Sequence, residues 1–62
     1  MSLIPHYLFH LQSEGECATL SDAKRELRSA RMLVHPDVVH LFKSGVRFNK
    51  QTLTYRWYII LR

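Results

Sequence analysis

The chain has one cysteine, two glycines and two prolines among its 62 residues, and only five acidic residues beside nine basic ones. A lone Cys17 excludes an internal disulfide and a cysteine-type zinc site. So few glycines and prolines leave little room for long flexible loops. The longest uninterrupted apolar run, Trp57 to Leu61, falls far short of the ~20 residues a membrane-spanning helix needs. Met1 to Leu11 offers no basic residue ahead of its apolar stretch and contains Pro5, His6 and His10, so a secretory leader is not expected. The expectation is an intracellular, cytoplasmic chain.

What is present is globular in composition, with 47% apolar and 23% charged residues. No repeat, linker or low-complexity stretch divides it, so residues 1–62 read as one domain. A chain of this size buries only about 60% of its unfolded surface, which leaves little material for an enzyme pocket and its support. No catalytic residue and no cofactor is expected.

Charge is unevenly distributed. Residues 1–23 hold Glu14, Glu16 and Asp22 with no Lys or Arg, a balance of −3. Residues 24–62 hold all nine basic residues against Glu26 and Asp37, a balance of +7. A one-sided basic field suits an acidic partner, either nucleic acid or an acidic protein surface; a solvated helix face is the alternative.

The clearest element runs from Thr19 or Ser21 to Val34. Thr19 followed by Asp22 fits a capping box. Leu20, Ala23, Leu27, Ala30 and Val34 recur at helical intervals and form a narrow apolar stripe. Lys24, Arg28 and Arg31 lie along one flank of the stripe with Arg25 further round, while Asp22 and Glu26 occupy the other. Pro36 disfavours helical geometry at His35 and stops the helix near there.

Elsewhere the pattern is less decisive. Ile4 to Gln12 fits either a helix or a strand, and Ser13 to Ala18 reads as a short polar connection. Val38 to Gly45 is a helical turn or an irregular loop. In the last segment, Phe48 to Arg62, Asn49 could cap a helix with Phe48, Thr52, Tyr55 and Ile59 on one face, which would leave Leu53, Trp57, Ile60 and Leu61 on the other. Read as a strand, Leu53-Tyr55-Trp57-Ile59-Leu61 alternates with Thr52-Thr54-Arg56-Tyr58, and local residue types lean to strand, with both readings open.

His6, His10, His35 and His40 raise a metal reading. On a strand His6 and His10 would stand roughly 13 Å apart, too far to share an ion. On a helix they could chelate, but no third ligand is evident, so no metal is expected. Cys17 has no neighbouring cation to activate it, and Ser21 and Ser29 have no nucleophile setting. Phe48, Tyr55, Trp57 and Tyr58 would suit a base-stacking platform beside Arg47 and Arg56, although so small a chain is expected to use its aromatics for packing.

At positions 35–37 stands His-Pro-Asp, directly after the basic amphipathic helix. This arrangement resembles the J domain of DnaJ-type co-chaperones. Thr19 falls at that family's second-helix cap, Lys24, Arg25 and Arg28 on its basic positions, and Ala23, Leu27, Ala30 and Val34 on positions facing a third helix. Phe48 and Tyr55 match a Phe and Tyr of that third helix, and Tyr7-Leu8 with Leu11 resembles the first. Val38, Gln12, Leu33, Val34 and Gln51 depart from the pattern.

The resemblance implies an all-α fold, a small three-helix hairpin ending near the close of the third helix. It also implies a partner, a DnaK-type chaperone whose ATP hydrolysis the domain stimulates. Lys24, Arg25, Arg28 and Arg31 would orient docking, and His35, Pro36 and Asp37 would form the trigger. The alternative is a small α+β protein of β-α-β-β order that binds nucleic acid or a nucleoprotein through its basic half. For it, Leu20-Ser21-Asp22-Ala23-Lys24-Arg25 looks like the helix start of some phage-encoded inhibitors, including anti-CRISPR proteins. A homodimer formed through the apolar C-terminal segment is a further expectation.

Overall fold

A computed structural model describes residues 6–62, with side chains from Leu8 onward. The Ile4–Pro5 start of the first apolar segment, the His6–His10 chelation reading and the place of Tyr7 in the J-domain likeness therefore lie outside the described residues. A 3₁₀ turn, His6–Leu11, leads into strand β1, Ser13–Cys17, and helix α1, Leu20–Met32. A second 3₁₀ turn, Val39–Leu41, leads into β2, Phe42–Asn49, and β3, Thr54–Leu61. The three strands form one antiparallel sheet in the order β1-β3-β2, with α1 packed on one face. The architecture is a split β-α-β unit, the last strand inserted between the first two.

The all-α three-helix hairpin is thereby corrected to α+β, in the β-α-β-β order held as the alternative. Phe48 and Tyr55, seven apart, would be two turns from one another on a helix. Instead they face each other across the β2–β3 hairpin, ring centroids 5.0 Å apart. The alternation of residues 53–61 explains why: on a helix those apolar residues would surround the cylinder, whereas on a strand they sort into two faces. A central strand can use apolar residues on both. Ser13–Cys17 forms a strand although Ser, Glu and Gly have weak strand preferences, because β3 supplies its pairing partner.

Helix α1 begins as its sequence directs. The Thr19 hydroxyl accepts the Asp22 amide at 3.1 Å. Ala23 is buried, and Leu27 and Ala30 pack against the core, so the stripe faces the sheet from Ala23 on, while Leu20 at its start stays exposed. Past the helix, Val34 turns back into the core beside Leu8, Cys17, Phe42, Trp57 and Ile59.

Trp57, only 7% exposed, is the main tie between layers. Its indole N–H donates to Glu26 Oε1 on α1 at 3.0 Å. Beneath it lies Gly15, its partner on β1, where an added Cβ would fall 2.5 Å from the indole nitrogen. At the hairpin tip, Asn49 Oδ1 accepts the Gln51 amide at 2.9 Å, and Leu53 closes the turn with φ of 58°. Thr54 donates its hydroxyl proton to Glu16 Oε2 at 2.6 Å, so the Thr52 hydroxyl must donate to Thr54.

Two stability outcomes are expected from urea or thermal denaturation. Gly15→Ala forces the pinned indole to move and should cost about 1–3 kcal/mol. Leu53→Asn relieves a left-handed backbone at a side chain that is 69% exposed. It should stabilise by about 1 kcal/mol, raising Tm by about 5 °C.

Candidate polyanion-binding surface

The Glu26 flank of α1 faces β1, because Glu26 holds Trp57 and lies beside Cys17. The opposite flank therefore turns towards β2. There Lys24, Arg28 and Arg31, at helical spacings of four and three, line a groove of about 450 Å³ with Leu27, Met32, Pro36 and Val39. The result is a charge gradient across the sheet. Glu14, Glu16, Asp22 and Glu26 belong to the β1 side, and Lys24, Arg28, Arg31, Lys43, Arg47 and Lys50 to the β2 side.

The face of the sheet away from α1 carries the second basic cluster. Strand pairing places Lys43 opposite Ile60, Gly45 opposite Tyr58 and Arg47 opposite Arg56. Two arginines directly across a strand pair repel one another. Neither has a carboxylate at ion-pair distance among the described residues, where the close contacts are Arg25–Asp22 at 2.8 Å and His35–Asp37 at 3.5 Å. Glu16, the other cross-strand neighbour of Arg56, accepts the Thr54 hydroxyl and keeps its charge beside Arg56 without forming an ion pair. The Arg47 guanidinium lies 5.8 Å from the centroid of the Tyr58 ring. That ring in turn lies across Gly45, where an added Cβ would come within 2.8 Å of its hydroxyl.

Two hollows flank the arginine pair. One, of about 280 Å³, is lined by Glu14, Lys43, Arg47, Arg56, Tyr58 and Ile60. The other, of about 410 Å³ at the hairpin end, is lined by Arg47, Phe48, Asn49, Lys50, Gln51 and Arg56.

The residues expected to act are thus distributed unequally. Lys24, Arg28, Arg31 and Pro36 share the α1 groove. Arg25 is drawn aside by Asp22, in an exposed pair worth only a few tenths of a kcal/mol. His35 and Asp37 close on each other in a turn, where His35 Nδ1 accepts the Asp37 amide at 3.0 Å and the His35 carbonyl accepts the amides of Val38 and Val39. Because that nitrogen is already an acceptor, its 3.5 Å approach to the Asp37 carboxylate is not an ion pair in this arrangement. His35-Pro36-Asp37 here is a helix-stop turn leading to a strand, with the Asp37 side chain 87% exposed.

The proposed stacking set divides between faces. Trp57 goes into the core and Tyr55 packs against it, while Tyr58 stands on the open face beside Arg47 and Arg56. Sequence reasoning gave Lys43 no role, because residues 38–45 read as a turn or loop and it is the strand that puts Lys43 on the same face as Arg47.

Among the described residues, no three His, Cys, Asp or Glu side chains gather as metal ligands. Burial raises the Cys17 thiol pKa, and the adjoining Glu26 carboxylate, which takes its hydrogen bond, raises it further. Cys17 is therefore a packing residue held protonated, not a nucleophile. A thiol whose pKa is higher folded than unfolded contributes stability below the ordinary thiol range, which is lost as pH rises through the raised value. The urea midpoint of the wild type should fall more steeply than that of Cys17→Ala above about pH 8.5.

Set against known protein families, characterised proteins and solved structures, the chain matches none.

Proposed function

We propose that the protein is a small, non-enzymatic nucleic-acid-binding module that engages a polyanion through its β2 side. The observation that supports this most is Arg47 set directly opposite Arg56 with neither guanidinium in an ion pair among the described residues. Such a pair costs the fold stability and is relieved by an external anion. Lys24, Arg28 and Arg31 extend the same field onto α1. Six of the nine basic residues are arginines, whose planar fork matches phosphate oxygens. Phosphates spaced along a backbone suit charges distributed over two surfaces better than a single acidic patch would.

The J-type coupling has less support from the geometry. Its third helix is replaced by a hairpin, and its trigger residues are closed into a local turn.

Fluorescence anisotropy with labelled single-stranded and duplex oligonucleotides tests the proposal. With roughly five phosphate contacts, single-strand affinity should fall about a hundredfold between about 50 and 200 mM salt. Arg47→Ala with Arg56→Ala should make that salt dependence shallower, as should Lys24→Ala with Arg28→Ala and Arg31→Ala. Absence of binding at low salt would sink the proposal. In parallel, a DnaK-type ATPase should hydrolyse ATP at its basal rate when the protein is added. Acceleration that disappears with Asp37→Asn would restore the co-chaperone reading instead.

A further inference from the structure

We infer that the open face of the sheet is a site for single-stranded nucleic acid, with Tyr58 as the surface on which a base stacks. The inference rests on the nucleic-acid reading and specifies its site and ligand class. Helix α1 covers one face of the sheet, and no described element covers the other. That open face is neither a plain solvated surface nor an apolar patch. Tyr58 and Ile60 are half-buried along its floor, and Lys43, Arg47 and Arg56 stand around them.

The two hollows share Arg47 and Arg56, so together they form one track along β2 from Lys43 to Lys50. At about 3.3 Å per residue this spans about 23 Å. That is enough for about four nucleotides, the lower end of site sizes for single-strand binding surfaces. Glu14 borders the track on the β1 side and repels phosphate, which keeps the backbone over β2.

Tyr58 is prepared for this role by its neighbours. Gly45 lies beneath the hydroxyl end of the ring and has no side chain, so Tyr58 can reach across the strand. The Arg47 guanidinium stands over the ring, 5.8 Å from its centroid, so a base stacks on Tyr58 once Arg47 swings out to a phosphate. The Tyr58 hydroxyl makes no hydrogen bond among the described residues, leaving it free for a base edge or a backbone oxygen. A duplex keeps its base faces stacked internally and presents this surface with phosphates alone. Only an unpaired strand can use Tyr58 and Arg47–Arg56 together.

The test compares three labelled probes of equal length: oligothymidylate, an abasic strand carrying the same phosphates, and a duplex. The wild type should bind oligothymidylate about tenfold more tightly than the abasic strand, the worth of one base–aromatic stack. Tyr58→Ala should reduce oligothymidylate to the abasic level, and Tyr58→Phe should keep the preference. Equal affinity of the wild type for oligothymidylate and the abasic strand overturns the inference, as does tighter binding of the duplex. Both comparisons need no variant and hold even if Tyr58→Ala fails to fold. Binding with a base preference that survives Tyr58→Ala also overturns it while leaving the nucleic-acid reading intact. Failure of all three probes to bind removes that reading and the inference together.

Discussion

The seat of the Trp57 indole is the constraint on which the rest of the structure depends. One ring closes three contacts at once: the Glu26 carboxylate on α1, the bare backbone of Gly15 on β1, and the buried core around Ile59 and Phe42. Truncating a core tryptophan generally costs about 3–5 kcal/mol. A domain of this length has only about 3–9 kcal/mol of stability in total. A single side chain therefore decides whether helix and sheet stay together.

That seat also orients the charges. By fixing Glu26 over the β1 side, it turns the opposite flank of α1, with Lys24, Arg28 and Arg31, towards β2. Strand register does the same for the sheet, placing Glu14 and Glu16 on the β1 edge and Lys43 and Arg47 on the β2 edge. Most of the acidic residues thus lie on the β1 side and most of the basic ones on the β2 side. The separation survives folding because β3, which comes last in the chain, inserts between β1 and β2. It keeps the acidic strand from pairing with the basic one.

His-Pro-Asp illustrates how a short motif can outweigh better local evidence. The tripeptide and the basic helix before it favour three helices only if residues 48–62 are helical. Those residues alternate with a period of two and are rich in β-branched and aromatic types, and they fold as β3 and the end of its hairpin. The tripeptide itself forms what its residue types permit anywhere: a turn beyond the helix, which ends at Met32, with the Asp37 amide capped by the His35 side chain.

The amino-acid sequence by itself determined helix α1, its Thr19 cap and its basic flank, because those depend on residues within a few positions of one another. It also carried the alternation of β3, whose period distinguishes strand from helix without any partner. Only the tertiary structure decided that Ser13–Cys17 is a strand, since its polar residues pair solely because β3 lies alongside. The same holds for the open basic face. Lys43 and Arg47 share a face of β2, and Arg56 and Tyr58 a face of β3, but only the β2–β3 register sets the two pairs side by side on one surface.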